Sequence, residues 1–161
     1  MNHIYFIPLS KCAKIVEMKI LLISDTHGKN KIVDELYRIY PNMDYYLHAG
    51  DSCTEGYALY PFESVRGNCD YDYNLNEQLL ISTPMGNLLM KHVPNMLESD
   101  LKKLNIKFFV FGHLHERHFE LKNDIYYISP GSTSYEKDKY KEGYVILEIT
   151  DNDVKCEFFD L

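Results

Sequence analysis

The 161-residue chain has no Cys-x-x-Cys pair among its four cysteines, no long apolar run and no cluster of basic side chains. Cys12, Cys53, Cys69 and Cys156 are too scattered for a zinc finger or a dense disulfide framework, so reduced thiols in a cytoplasmic protein are the simplest expectation. Without about 18 consecutive apolar residues, nothing is expected to span a bilayer. Only Lys102 and Lys103 stand side by side, and the formal charge is −7. That balance removes the electrostatic grip on which binding of long nucleic acid relies.

The first segment, residues 1–17, has a short apolar stretch at Ile4-Tyr5-Phe6-Ile7 but neither a long apolar core nor a small-residue cleavage site, so it does not read as a signal peptide. It is expected to be an extension ahead of one domain spanning residues 18–161. Apolar residues at 45% and charged residues at 25% are ordinary globular values, which excludes disorder and fibres. A domain of this length buries roughly two-thirds of its unfolded surface, enough for a core without staples. The sequence contains no internal repeat, low-complexity tract or interdomain linker.

Lys19 to Ser24 is an apolar run of strand length, the pattern of a strand buried on both faces. Asn30 is placed to cap a helix carrying Ile32, Val33, Leu36, Ile39 and Tyr40 until Pro41 stops it. Strands are expected at Asp44 to Ala49 and Phe62 to Arg66. A hairpin is expected from Gln78 to Thr83 and Leu88 to Val93 around Pro84-Met85-Gly86-Asn87. A helix from Glu98 to Leu104 then precedes strands at Lys107 to Phe111, Arg117 to Leu121, Ile125 to Ser129 and Tyr144 to Ile149. Early strand-helix units followed by hairpins point to an α/β (α+β) chain, with two mixed sheets packed as a sandwich and flanked by helices.

The ends of these runs carry the chemistry. Asp25-Thr26-His27 follows the first strand, Gly50-Asp51 the second, Gly67-Asn68 the third, and Gly112-His113-Leu114-His115 the run Phe108 to Phe111. Each short motif alone is weak, and Gly-His-x-His is the rarest of them. Carboxylates, imidazoles and an amide recurring at strand ends suggest oxygen and nitrogen ligands converging on divalent metal. Two such ions about 3.5–4 Å apart need a shared carboxylate to relieve their repulsion, and Asp51 is the candidate. Two divalent ions exceed the charge that two aspartates and one hydroxide cancel, so a cationic spot persists in an acidic chain and attracts phosphate.

Asp25-Thr26-His27, Gly50-Asp51, Gly67-Asn68, His92 and Gly112-His113-Leu114-His115 resemble the calcineurin-like metallophosphoesterase superfamily, over essentially residues 18–161. The chain's size, Cys69-Asp70 and Ser129-Pro130-Gly131-Ser132 resemble its small prokaryotic phosphodiesterase branch more closely. Residue by residue, the resemblance implies one metal on Asp25, His27, Asp51 and His115, and a second on Asp51, Asn68, His92 and His113. Manganese is the first expectation, with nickel, iron and zinc fitting the same donors. The implied reaction is hydrolysis of small phosphodiesters by in-line attack of a hydroxide held between the ions, with Asp51, Asn68, His92 and His113 closest to the chemistry.

Two positions depart from the family pattern. Cys69 stands where the larger phosphatases place a histidine that protonates the leaving oxygen, and a thiol is a poor acid for an alkoxide, so good leaving groups should react disproportionately well. His92 is followed by Val93-Pro94 where the family has glycine. Among other residues, His48 reads equally as a support for a ligand or as a core histidine, and His118 reads as a surface residue. Asp70 and Asp72 read as loop solvation. Tyr57, Tyr71 and Tyr73 read as packing. Ser129 to Ser134 reads as a turn that the resemblance places near phosphate.

Two alternatives stand beside the diesterase. A non-catalytic scaffold is one, because the resemblance includes a retromer subunit that uses this fold for assembly, although a scaffold is free to lose ligands and here every ligand position is filled. A phosphomonoesterase is the other, needing a cation for the extra phosphate charge, and no arginine stands out for it. A homo-oligomer is compatible with an exposed sheet edge.

Overall fold

A computed structural model of the chain describes residues 16–135 and 141–161; the expected apolar stretch at Ile4 to Ile7 lies outside them. Apolar runs that must be buried on both faces set the architecture. Strands β1 (Met18–Ile23), β2 (Tyr45–His48), β3 (Glu63–Ser64), β4 (Gln78–Thr83), β5 (Gly86–Lys91), β6 (Ile106–Phe111), β7 (Arg117–Lys122), β8 (Ile125–Pro130), β9 (Gly143–Ile149) and β10 (Val154–Asp160) form two five-stranded sheets. Helix α1 (Lys31–Ile39) follows β1, and helix α2 (Glu98–Lys103) precedes β6.

The first sheet runs β10-β9-β1-β2-β3, with β1, β2 and β3 parallel and β9 antiparallel to β1. The second runs β4-β5-β6-β8-β7, with β5, β6 and β8 parallel between antiparallel edges. Both sheets are therefore mixed, as expected. Ile20, Leu22, Leu47 and Val145 of the first sheet meet Leu88, Met90, Phe108, Val110 and Ile128 of the second in one buried core. Alternate residues point the other way. Leu21, Ile23 and Tyr46 pack with Val33 and Leu36 of α1, while Leu89 and Phe109 pack with Leu101 of α2. This double burial explains the unbroken apolar sequence of β1 and β6.

Three local expectations are corrected. Asn30 stands at the helix N-terminus, but its side chain makes no cap; its amide donates instead to the Ser52 carbonyl at 3.1 Å, tying α1 to the loop after β2. The strand expected at Phe62 to Arg66 shrinks to two residues, because Phe62 turns into the α1 side of the core and Val65 forms only an isolated bridge to Asn76. The hairpin turn is tighter than its sequence suggests: Thr83 pairs with Gly86 and Ser82 with Asn87, leaving only Pro84 and Met85 at the tip.

The sheets are also joined by a side chain. From the start of β7, the Arg117 guanidinium donates to Asp160 Oδ1 at 2.7 Å, the Phe159 carbonyl at 3.2 Å and the Glu142 carbonyl at 3.3 Å. Replacing Arg117 by Met keeps the apolar stem and removes every donor, so a loss of about 2 kcal/mol is expected in urea unfolding. An unchanged midpoint would show that these bonds add nothing over water.

Candidate metal centre

Every candidate ligand lies just beyond the carboxyl end of a parallel strand, the edge at which α/β sheets place ligands. Asp25 and His27 follow β1, Asp51 follows β2, Asn68 follows β3, His92 follows β5, and His113 and His115 follow β6. The structure brings all seven together. Asp25 Oδ1 lies 3.1 Å from His115 Nε2 and 3.8 Å from His27 Nε2, and the two imidazole nitrogens are 3.4 Å apart. Asn68 Oδ1 lies 3.0 Å from His92 Nε2 and 2.9 Å from His113 Nδ1. Asp51 Oδ2 stands between the groups, 3.2 Å from His92 Nε2 and 3.9 Å from His27 Nε2.

The donor inventory favours a cation here. His92 Nδ1 is 2.7 Å from the Ala49 carbonyl, so Nδ1 carries the proton and the neutral ring turns its Nε2 lone pair toward the oxygens of Asn68 and Asp51. Three acceptors facing one another are repulsive unless a proton or a metal sits among them. Burial disfavours protonation of His92, yet the Asp51 carboxylate and the Ala49 carbonyl outweigh it and raise the ring's pKa. Burial also raises the Asp25 carboxyl. Its Oδ2 accepts from Ser24 Oγ at 2.5 Å and from the His113 N–H at 3.1 Å, whereas Oδ1 is buried without a hydrogen-bond partner among the described residues. An orphaned carboxylate oxygen aimed at two imidazoles is what a metal ligand looks like without its ion, and the residues fit the group. For Asp51, burial is outweighed by His92 and the Cys69 N–H, which donates to Oδ1 at 2.8 Å, and its pKa falls to about 2.

The backbone is bent to make this convergence. Asp25, His27, Asp51, His113 and His115 all have left-handed φ, between 43° and 67°. Such residues cost on the order of 1–3 kcal/mol each unless the surroundings fix them, and they concentrate at functional sites. Two glycines supply room. A Cβ at Gly67 would fall on the Asp51 carboxylate, and one at Gly112 on Ser24 Oγ and the Asp25 carboxylate.

Supporting residues reverse some sequence expectations. Asp70 is no solvating loop residue. It is buried, its Oδ2 accepting from the N–H groups of Asp51 at 2.9 Å and Gly67 at 2.7 Å, its Oδ1 from Ser52 Oγ at 3.0 Å and the Cys53 N–H at 2.8 Å. Asp72 likewise accepts from the Asn74 N–H within its own loop and from the Gly56 N–H in the segment ahead of β3. Ser132 and Ser134 hydroxyls donate to the Asp25 carbonyl at 2.9 and 2.6 Å, and the Thr133 hydroxyl to the Ser24 carbonyl at 3.2 Å, so this loop holds the end of β1 from behind. Nothing local in the sequence marks these roles, which depend on contacts up to 19 residues apart for Asp70 and more than a hundred apart for Ser132, Thr133 and Ser134. Tyr135, unremarked in sequence, stacks on His115 at 5.9 Å and meets His27 edge-on at 5.3 Å. His118 is partly exposed beside Glu120, as expected.

His48 is a core residue that also braces the site. Its Nδ1 accepts from the Gly50 N–H at 3.1 Å, which leaves Nε2–H to donate to Thr26 Oγ1 at 3.0 Å. Complete burial lowers its pKa to about 4. The unfolded chain, with an ordinary value near 6.5, takes up the proton first as pH falls. The neutral ring's contribution is therefore whole above about pH 6.5 and is lost on the way to about pH 4, some 3 kcal/mol in all. Urea unfolding in metal-free buffer should show this slope in the native protein and a shallower one in His48→Gln; parallel slopes would refute it.

A family model for the calcineurin-like phosphoesterase superfamily domain matches residues 18–152. The chain belongs to that superfamily. A curated relative, the Probable metallophosphoesterase YsnB of Bacillus subtilis (strain 168), is 27% identical over 154 residues, covering 89% of this chain and 91% of its own. A conserved uncharacterized protein of Streptococcus pneumoniae TIGR4 has a crystal structure that superposes with a TM-score of 0.83 at 24% identity, covering 91% of each chain. An archaeal phosphodiesterase shares the fold at TM-score 0.71 and 20% identity, covering 88% of this chain and all of its own. So does vacuolar protein sorting 29 of Cryptosporidium parvum, at TM-score 0.68 and 17% identity, covering 90% and 92%. The bacterial relatives support a small prokaryotic branch of that superfamily for this chain, and its His and Asp clusters could hold metal. No helix among its described residues is long and apolar enough to cross a membrane.

Proposed function

We propose that the protein is a cytoplasmic phosphodiesterase that hydrolyses small phosphodiesters with two divalent transition-metal ions, manganese first among the candidates. The observation that carries the reading is Asp51 Oδ2, which stands within 3.9 Å of an imidazole nitrogen in each of two ligand groups. Asp25, His27 and His115 would complete one group, and Asn68, His92 and His113 the other. Bound ions would supply Lewis acidity to the phosphoryl oxygens and lower the pKa of the attacking water.

The protein's own residues set the rest. The Ala49 carbonyl fixes the tautomer and orientation of His92, and the Cys69 N–H fixes the Asp51 carboxylate. In the metal-free protein, burial and the neighbouring Asp51 push the Cys69 thiol up to about 11, and a neutral thiol is a poor acid for an alkoxide. Good leaving groups should accordingly react far better than poor ones.

The test is metal content measured together with hydrolysis of bis(p-nitrophenyl) phosphate and p-nitrophenyl phosphate. Two metals per chain with the diester preferred supports the reading. Monoester preference points to a phosphomonoesterase, and folded protein inactive with every candidate metal points to a scaffold on this fold.

A further inference from the structure

A cleft of about 210 Å³ opens beside the candidate ligands Asn68 and His92, lined further by Arg66, Gly67, Glu77, Lys91, Val93 and Asn95. It holds roughly seven waters' worth of space, enough for one anionic group and a few connecting atoms. Its walls carry two cations against one carboxylate, in a chain whose overall charge is −7.

The two cations differ. Arg66 is already engaged, donating to Glu77 at 2.6 Å and lying over the Tyr73 ring at 5.3 Å. Lys91 donates only to the neutral Asn95 Oδ1, at 3.1 Å, and among the described residues no carboxylate lies within ion-pair distance of it. An ammonium beside an amide keeps its charge uncompensated and is suited to an anion, while Glu77, the one carboxylate lining the cleft, is paired with Arg66. The wall is built by the segment in which this chain departs from the family pattern: after His92 the backbone folds around Pro94, with the Asn95 N–H donating to the Val93 carbonyl at 2.9 Å, and this returns Asn95 to Lys91.

We infer that the cleft takes a second anionic group on the non-reacting arm of the substrate, with Lys91 as the residue that selects for it. The inference rests on the reading of the site as a phosphodiesterase and narrows its substrates to diesters bearing a further phosphate or carboxylate near the scissile phosphorus. Arg66 and Glu77 line the same cleft as an ion pair. The Lys91–Asn95 contact is exposed, so an incoming anion would exchange an amide partner for a charged one.

The experiment is calorimetric binding of adenosine 5′-phosphate and adenosine 3′,5′-bisphosphate to the manganese-loaded protein, two probes that differ by one phosphate. The bisphosphate should bind about tenfold more tightly, a gap that Lys91→Gln closes and Lys91→Arg keeps. The gap should also narrow as salt rises. Metal uptake with equal affinities for the two probes, or a gap that Lys91→Gln leaves intact, overturns the inference while the phosphodiesterase reading stands. A protein that takes up no metal overturns both.

Discussion

Asp51→Asn should lose metal and activity together while the fold survives. The side chain keeps its shape, and asparagine accepts the left-handed φ of 60° found at this position. The amide oxygen can still receive the Cys69 N–H that now bonds Oδ1 at 2.8 Å. What disappears is the anionic oxygen within reach of both His27 and His92. Removing a partner behind a ligand typically costs 10–100-fold in metal affinity or activity, so removing the shared ligand should cost more than about 100-fold in diester hydrolysis. Metal content should fall below two per chain, with the circular dichroism spectrum unchanged. A variant that keeps both its metals and its rate would end the bridging assignment.

Asp70→Ala should damage the same site without touching a ligand. Its carboxylate receives three backbone N–H groups and one hydroxyl from two loops, one carrying Asp51 and the other leading to Asn68. Alanine leaves those donors in a place where water enters poorly, at about 1–3 kcal/mol for each one truly buried. Because Cys53 and Gly67 are only partly buried, a total loss of about 3 kcal/mol in urea unfolding is expected. Metal affinity should fall at least about tenfold as the two loops separate. Asp70→Asn should fall between, since it keeps one accepting oxygen and turns an NH₂ group against amide donors. Metal affinity within twofold of the native protein would mean that the loops hold themselves in place.

What the sequence reveals here follows from the range over which each feature is decided. β1 and β6 are legible because burial on both faces writes an unbroken apolar run into the residues themselves. The strand Val154–Asp160 is hard to see, since it lies at a sheet edge and its Lys155 and Glu157 face outward, which leaves a weak alternation. The seven candidate ligands stand out because strand ends collect them into recognisable short motifs. Asp70, Ser132 and Ser134 do not, being polar loop residues of the commonest kind whose decisive partners lie 17 to 19 positions away for Asp70 and 107 to 109 away for the serines. The cleft at Lys91 is hidden for the same reason: it needs Arg66 and Glu77 from one part of the chain to face a turn in another.

The left-handed turns at five of the seven candidate ligands also bear on how such a domain ages. A backbone committed to those angles constrains its sequence even after the chemistry has gone. A descendant that abandoned hydrolysis would be free to change the ligand atoms but not the curvature beneath them. Its replacements at positions 25, 27, 51, 113 and 115 should therefore run to asparagine, aspartate and glycine, and avoid valine, isoleucine and threonine. A lineage of this fold that turned from catalysis to assembly would then keep the imprint of these turns in its choice of small, turn-tolerant residues.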